Sequence, residues 1–276
     1  MKKILGLVIS HRKLGNSEVL VKEIMGSIPG ECTRELVRLT DLKIQSCIAC
    51  YRCLEPGIDC PLSDDFNFVL EKIKAADALI IGVPVYILGA HGYYKMLTDR
   101  LMGVAQYLEY TISKPCAIVI PYGTEGWQGY SQAGALVLPR LLGMKLVDCW
   151  SVHATLPAEA LLNDDNLDYA RKLGQELFSG REYCPGPREC TACGSDLLRL
   201  LDGNRVECPL CGAIGNLGSN NIPDFSGADY NRFARHEMDE HWRLWLGEMK
   251  QRFREEKEIL KSVQKGYREQ DWWIKP

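Results

Sequence analysis

Short apolar runs alternate with segments of helical periodicity along the first 180 residues of the chain. Residues 3–9, 78–83 and 116–120 are continuous runs rich in branched apolar side chains, whereas the run from residue 145 alternates apolar and polar positions. Uninterrupted runs of this length predict strands that are buried on both faces of a sheet. Residues 35–39 complete a predicted set of five strands.

The segments between these strands predict amphipathic helices. One follows the capping residues 63–64, and its apolar residues recur at three- and four-residue intervals. Three more are predicted over about 93–105, about 131–142 and about 164–177. Because right-handed crossovers return each strand in the same direction, this alternation predicts an α/β fold with a doubly wound, five-stranded parallel sheet.

The character of the chain changes after Gly180, where loop-like residues precede a cysteine-rich hairpin and a highly charged segment. We therefore predict three parts, which are an α/β domain over 1–180, a metal-binding module over 181–218 and a helical tail over 219–276. In the tail, apolar residues at helical spacing predict a docking face, which comprises Phe233, Trp242, Trp245, Leu246, Met249 and Phe253.

The composition narrows the choice of partner. The chain has 276 residues, and 33 Lys and Arg against 36 Asp and Glu give a formal net charge of -3. This balance does not favour nucleic acid or an anionic membrane as a partner. The longest nearly apolar stretch, residues 78–90, contains Pro84 and is shorter than the roughly 18 residues of a membrane helix. We expect a cytoplasmic protein that acts on small molecules.

Most of the 12 cysteines fall into two clusters. In the first, Cys47, Cys50 and Cys53 are each separated by two residues, and Cys60 follows directly before a proline. Compact runs of this kind hold iron-sulfur clusters in bacterial ferredoxins, because one tight loop can ligate several irons of a cube. The spacing favours a [4Fe-4S] cluster, with zinc and a set of redox disulfides as the alternatives.

The second cluster consists of two cysteine pairs. Cys190 and Cys193 form one pair, and Cys208 and Cys211 form another after 14 intervening residues. Residues 202–204 indicate a hairpin between them, which would bring four thiols around one tetrahedral ion. The pattern resembles a zinc ribbon, and the same four-sulfur geometry would suit a single redox iron.

Polar or glycine-containing loops follow three of the predicted strands. The first, residues 10–17, supplies hydroxyl groups and leads into a helix N-terminus, which is a common site for anions. It contains neither a GxGxxG nor a P-loop motif. The other two loops are residues 84–90 and 121–126. In a doubly wound sheet such loops meet at the carboxyl edge, where the strand order reverses.

In the order and spacing of these loops, residues 1–180 resemble the flavodoxin-like NADPH-dependent FMN reductase superfamily, and the first cysteine run resembles its iron-sulfur flavoprotein branch. The resemblance implies FMN with Ser10, Arg12, Asn16 and Ser17 around its phosphate. Along the isoalloxazine ring it implies Pro84, Val85, Tyr86, Ile87, Leu88 and Gly89, and on the other side Tyr122, Gly123, Thr124, Glu125 and Gly126. Tyr86 and His91 are the candidates for proton delivery.

These features together predict an oxidoreductase that passes electrons between a one-electron donor, a [4Fe-4S] cluster, FMN and a small acceptor. The resemblance implies a ferredoxin-like donor or NAD(P)H, and a homo-oligomer, either a dimer or a tetramer. One alternative is an NAD(P)H-dependent FMN or quinone reductase whose cysteine loops both hold zinc. Another is a noncatalytic redox-sensing or scaffolding module that binds a protein partner through the cysteine-rich module and the tail.

Overall fold

A computed structural model of the protein describes residues 1–55, 57–218, 220–270 and 272–274, without the side chains of residues 243, 245 and 246. The strands of the α/β domain are β1 (Lys2–Val8), β2 (Cys32–Arg38), β3 (Ala78–Gly82), β4 (Val85–Tyr86), β5 (Gly89–Ala90), β6 (Pro115–Tyr122) and β7 (Lys145–His153). Five of them form one sheet in the order β2-β1-β3-β6-β7, and every neighbouring pair in it is parallel. The strands β4 and β5 form a separate antiparallel hairpin.

Helices cover both faces of this sheet. They are α1 (Asn16–Gly26), α2 (Phe66–Ala75), α3 (Gly92–Thr98), α4 (Leu108–Thr111), α5 (Ser131–Leu141) and α6 (Asp164–Glu176). Leu20 of α1 and Leu173 of α6 belong to the apolar core on one face. Ile73 of α2, Leu97 of α3 and Leu136 of α5 belong to the core on the other. The predicted doubly wound, five-stranded parallel sheet is confirmed.

The helix predicted over 93–105 is wrong in its extent. Helix α3 ends at Thr98, and Leu101–Tyr107 form a separate 3₁₀ helix. Arg100 lies at the break with its side chain buried against Asp64. Apolar spacing carries no sign of this tertiary contact, which is why the sequence pattern reads as one continuous helix.

The cysteine-rich module forms a small antiparallel sheet that docks on α5. Its strands are β8 (Arg199–Leu200), β9 (Arg205–Glu207), β10 (Ile214–Leu217) and β11 (Pro223–Asp224), in the order β11-β10-β9-β8. Gln132 of α5 donates to Glu189 at 2.7 Å and to the carbonyl of Gly194 at 2.8 Å. Arg140 of α5 donates to the carbonyl of Cys193 at 3.0 Å. Charged and amide side chains of α5 therefore hold the module against the α/β domain.

From Arg235 onwards the tail consists of consecutive short helices, whereas β11 lies within residues 219–276, where the sequence predicts a helical tail. The helices are α7 (Arg235–Asp239), a π-helix over Glu240–Trp245, α8 (Leu246–Glu255) and α9 (Lys257–Lys265). Trp242 packs against the core of the α/β domain, whereas Phe253 is exposed. The side chains of Trp245 and Leu246, two positions of the predicted docking face, lie outside the described part of the chain. Among the described residues, no helix has the length and apolar character needed to cross a membrane.

Candidate flavin and metal sites

A cleft of about 350 Å³ opens at the carboxyl edge of the sheet, beside the neighbouring strands β1 and β3. The strand order reverses there, which is where ligands bind in doubly wound sheets. The predicted FMN residues that line the cleft are Ser10, Arg12, Asn16, Ser17, Pro84, Val85, Tyr86, Ile87 and Gly123. Gly15 and Pro121 also line it and belong to two of the predicted loops, whereas Ala154 and Thr155 line it from outside the predicted loops. Ala154 and Thr155 could have been predicted from the sequence because they directly follow β7, the fifth parallel strand, which ends at the same edge of the sheet.

The start of α1 offers backbone N–H groups to an anion in the cleft. Gly15 is the N-cap residue, and within the described part of the chain no side chain caps the helix there. The first N–H groups of a helix carry partial positive charge and lack partners inside the helix. A phosphate group fits this position, because it supplies the acceptors that the chain does not.

Glu18, in the first turn of α1, does not oppose an anion because its charge is already compensated. Its carboxylate accepts hydrogen bonds from Lys22 and from the Leu14 N–H, each at 2.6 Å, and from Arg38. Burial raises the pKa of Glu18, but these bonds outweigh burial and bring the pKa down to about 2. Arg38 also donates to the Ser10 carbonyl at 2.8 Å, which ties the first loop to β2.

The Asn16 side chain, which the resemblance places around the FMN phosphate, forms hydrogen bonds to the protein backbone instead. Its side-chain amide donates to the carbonyls of Ala154 and Leu156 at 3.1 and 3.0 Å. Its side-chain oxygen accepts from the Ala160 N–H at 3.1 Å. The side chain therefore fastens the loop after β7 to α1, and the backbone N–H of Asn16 is the group that remains for an anion.

The β4–β5 hairpin, which also lines the cleft, has a strained tip. Ile87 and Leu88 have φ values of 44° and 65°, in the left-handed region that bulky side chains rarely adopt. The Leu88 carbonyl accepts from the Tyr130 N–H at 2.8 Å. Gly129 lies so close to this carbonyl that a Cβ atom there would come within 2.1 Å of it. Contacts with Gly129 and Tyr130 thus hold the strained tip in place. They leave Ile87 83% exposed beside the cleft.

Other predicted FMN residues lie outside the described lining of the cleft, namely Leu88, Gly89, Tyr122, Thr124, Glu125 and Gly126. Gly89 packs against the Tyr130 ring, which a Cβ atom there would approach to 2.8 Å. The Tyr122 ring packs at a tilt against His153, with the ring centroids 5.3 Å apart. These contacts shape the two loops, and a direct role of these residues in FMN binding stays a prediction.

The two candidates for proton delivery differ in exposure. Tyr86 lines the cleft and is 46% exposed. His91 is buried and packs edge-on against Tyr86, with ring centroids 4.4 Å apart, and its Nδ1 accepts from the Tyr93 N–H at the start of α3. Burial lowers the pKa of His91, and repulsion from His11 adds to the shift. His91 therefore caps a helix and supports Tyr86, which is the member of the pair that borders the cleft.

The first cysteine cluster occupies the loop after β2, at the same edge of the sheet as the cleft. The loop turns tightly, since Ala49 and Tyr51 have φ values of 50° and 57°. The Ala49 N–H lies 3.4 Å from the Sγ atom of Cys47 and donates to it. Burial raises the pKa of Cys53, and repulsion from the other three cysteines of the cluster raises it further. Among the described residues, the ligand atoms that gather within 4.8 Å of one another are those of the second cluster, so a shared iron-sulfur cluster on these four thiols stays a prediction.

The 3₁₀ helix over Leu101–Tyr107 holds this loop in place, and no sequence pattern indicates that role. The Tyr107 hydroxyl donates to Asp59 at 2.5 Å. Gly103 lies against the backbone of Cys53, where a Cβ atom on the glycine would come within 2.6 Å of the Cys53 carbonyl. This close approach explains why residue 103 is a glycine.

The second cysteine cluster forms a closed site for one ion. The Sγ atoms of Cys190 and Cys211 are 3.6 Å apart, and those of Cys193 and Cys208 are 3.5 Å apart. All four sulfurs lie within 4.8 Å of one another and are fully buried. A tetrahedral ion with bonds of about 2.3 Å separates its sulfur ligands by about 3.8 Å, so the four thiols fit zinc or a single iron.

The five-stranded parallel sheet and the cleft at its switch point define a flavodoxin-like fold. The NADPH-dependent FMN reductase family matches residues 2–155. The chain therefore belongs to this family, and the resemblance found in the loops is confirmed.

Two proteins of related sequence and one solved structure show how far along the chain the similarity extends. An iron-sulfur flavoprotein from Methanocaldococcus jannaschii is 40% identical over 99 residues, and the match covers 36% of this chain and 51% of that protein. The chain thus spans about half the length of this relative. A flavone synthase from Aspergillus candidus is 27% identical over 217 residues, which cover 66% of this chain and 67% of that protein. A solved structure of a flavone reductase has a TM-score of 0.78 at 20% identity and covers 99% of both chains, so the fold is shared through the module and the tail.

Replacing Gly82 with alanine is expected to weaken FMN binding. A Cβ atom at Gly82, the last residue of β3, would come within 2.7 Å of the Ser17 carbonyl and push the start of α1 away from the cleft. Such overpacking costs about 1–3 kcal/mol of folding stability. A displaced helix start that loses about 1 kcal/mol of phosphate contact is expected to bind FMN about 5-fold more weakly. Quenching of FMN fluorescence by the apoprotein measures the affinity. Gly92→Ala is the control, because among the described residues no atom beyond its chain neighbours and its own helix backbone lies within 4 Å of the added Cβ atom. Equal weakening in both variants would contradict the prediction.

Proposed function

We propose that the protein is an FMN-dependent oxidoreductase in which FMN occupies the switch-point cleft and a [4Fe-4S] cluster occupies Cys47, Cys50, Cys53 and Cys60. In this proposal electrons pass between a one-electron donor, the cluster, FMN and a small acceptor. The observation that carries it is that the cleft and the cysteine loop are both at the carboxyl edge of one sheet. When bound, FMN exchanges one or two electrons and the cluster exchanges one, so the pair couples both kinds of electron transfer. The iron-sulfur flavoprotein among the relatives supports the pairing.

The chain's own groups would bind the FMN phosphate at the start of α1. The backbone N–H groups of Asn16 and Ser17 and the hydroxyl group of Ser10 lie at this end of the cleft. Arg12 adds a cation, and its Nη1 donates to the Thr155 carbonyl at 3.4 Å, which holds the guanidinium beside the cleft. Phosphate binding by a helix N-terminus together with a guanidinium needs no GxGxxG motif.

The exposed side of the cysteine loop is the proposed entry point for electrons. Cys47 and Cys50 are exposed, whereas Cys53 and Cys60 are partly buried. A ferredoxin-like donor would approach the exposed pair, and NAD(P)H at the FMN cleft is the alternative donor. Within one described chain, no cysteine of this loop lines the cleft. A homo-oligomer in which the loop of one subunit faces the cleft of another is therefore part of the proposal.

We assign zinc to Cys190, Cys193, Cys208 and Cys211, with a single iron as the alternative. All four ligand positions of a tetrahedral ion are taken by buried cysteines, and structural zinc sites are closed in this way. The ion would stabilise the module and its contact with α5, and would take no part in binding the acceptor.

A planar aromatic acceptor of the flavonoid class is favoured by two observations. The flavone synthase shares sequence with 66% of this chain, and the flavone reductase shares its fold over 99% of the chain. Ile87, Trp127 and Tyr130, at the hairpin tip and in the loop that holds it, are all more than half exposed. An exposed aromatic and apolar surface beside a flavin site suits stacking of a flat ring system. A quinone is the second candidate acceptor.

The proposal is tested by purifying the protein without oxygen and measuring its cofactors per chain. We expect one FMN, one zinc, and about four iron and four acid-labile sulfide atoms. Flavin without inorganic sulfide would leave a plain FMN reductase, and protein without flavin would leave the scaffolding alternative. Anaerobic reoxidation of the reduced protein by flavone or by a quinone then compares the two acceptor classes.

A further inference from the structure

Arg100 is a buried cation in contact with the first cysteine cluster. The residue is 3% exposed, and its Nη2 donates to the Sγ atom of Cys60 at 3.0 Å. Its Nη1 donates to the carboxylate of Asp64, and its Cζ atom lies 4.2 Å from the centroid of the Phe66 ring. A sulfur, a carboxylate and an aromatic face thus hold the guanidinium in one orientation.

Asp64 connects both ends of the cysteine loop to this cation. Its side-chain oxygens accept from the Gln45 N–H at 2.7 Å, just before the loop, and from the Phe66 N–H at 3.1 Å, just after it. Burial favours the neutral acid, but the hydrogen bonds from Arg100 and from these backbone groups lower the pKa of Asp64. Both side chains of the pair are almost fully shielded from water, where charges interact strongly.

One donor of Arg100 lacks a partner among the residues that the structure describes. The Nε–H is buried and finds no acceptor in the described part of the chain. Buried donors are normally paired, so this site fits an acceptor that the chain itself does not supply. Sulfide of a cluster ligated by Cys60 has the charge and chemistry to be that acceptor.

We propose that Arg100 is a positioning residue that raises the reduction potential of the cluster by placing a fixed positive charge against its Cys60 ligand. This inference rests on the proposed function, because it requires the cluster. One-electron reduction adds one negative charge to the cluster and takes no proton from Arg100. A cation at hydrogen-bond distance from a ligand sulfur therefore stabilises the reduced form more than the oxidised form. The negative charge of Asp64, on the same guanidinium, opposes this effect.

The two charges predict shifts of opposite sign. Arg100→Gln removes the cation and is expected to lower the midpoint potential by at least about 59 mV. This shift corresponds to a tenfold change in the one-electron equilibrium constant. Asp64→Asn removes the opposing charge and is expected to raise the potential. Arg100→Lys keeps the charge and is expected to shift the potential less than Arg100→Gln does. Lys95→Gln is the control, because it removes a highly exposed cation nearby in the chain.

The potentials are measured on anaerobically purified holoprotein by redox titration, with the reduced cluster followed by electron paramagnetic resonance, alongside iron and FMN content. Opposite shifts in Arg100→Gln and Asp64→Asn support the inference. Where Arg100→Gln retains no iron, a raised potential in iron-containing Asp64→Asn supports it in the same way. Variants that retain the cluster but have unchanged potentials would overturn the inference. Loss of iron from all three variants would also overturn it, because a purely structural role of Arg100 predicts that result. Wild-type protein without iron and sulfide would overturn the proposed function itself.

Discussion

The Cys50→Ser variant is expected to lose the iron-sulfur cluster and to keep FMN. Cys50 is the central cysteine of the first run, and it is exposed and absent from the lining of the cleft. A serine hydroxyl is a much poorer iron ligand than a thiolate, whereas the proposed FMN contacts come from other loops. Changing residues that only support metal ligands already lowers metal affinity or activity by about 10- to 100-fold. Loss of a ligand should therefore reduce the rate of electron transfer from a one-electron donor by on the order of a hundredfold or more.

Iron, acid-labile sulfide and extracted FMN, measured per chain without oxygen, check this outcome. Cys184→Ser is the matched control, because Cys184 is also exposed but belongs to neither cluster. Full iron content in Cys50→Ser would show that the cluster is not held as proposed. Parallel loss of iron and FMN would show that the two sites are not separable.

Cys208→Ser is expected to release the ion of the second site and to unfold the cysteine-rich module. The core of this module consists largely of the four cysteines, with Val206, Ala213 and Phe225 as its other buried apolar residues. So small an apolar core cannot hold the fold without the ion, since structural zinc supplies about 10–16 kcal/mol in isolated zinc-finger peptides. Release of the module would expose the face of α5 that carries Gln132 and Arg140. FMN affinity should change little, because no residue of the module lines the cleft among the described residues.

Metal content by mass spectrometry and limited proteolysis between residues 181 and 230 test this prediction. Wild-type protein stripped by a chelator should become equally sensitive to proteolysis and should recover when zinc is returned, whereas Cys208→Ser should not recover. Recovery of the serine variant, or resistance of the stripped wild-type module, would contradict a structural role for the ion.

The order of elements in this protein could be predicted from sequence because it depends on local patterns. Branched apolar runs such as residues 3–9 indicate buried parallel strands wherever they occur. The cysteine pairs are local in the same sense, and Cys190, Cys193, Cys208 and Cys211 meet because a hairpin of a few residues joins them. The first loop could be selected for a similar reason, since it directly precedes a helix N-terminus.

The contacts that complete the candidate sites were not predictable in this way. Arg100 and Asp64 are 36 residues apart, and the Asn16 side chain reaches the Ala154 carbonyl across 138 residues. Apolar periodicity and spacing describe neighbours along the chain, whereas these pairs exist because the packed fold brings distant segments of the chain together. Thr155 enters the cleft, and Gly103 meets Cys53, for the same reason.

The sequence by itself therefore determined the parallel sheet, the two sets of cysteines and the loops that border the cleft. The tertiary structure alone decided that the Asn16 side chain fastens a loop, that His91 supports Tyr86, and that a buried cation touches Cys60. The physical reason is that secondary structure and ligand spacing follow from short-range patterns, whereas the environment of a charge depends on segments that only the packed fold brings together.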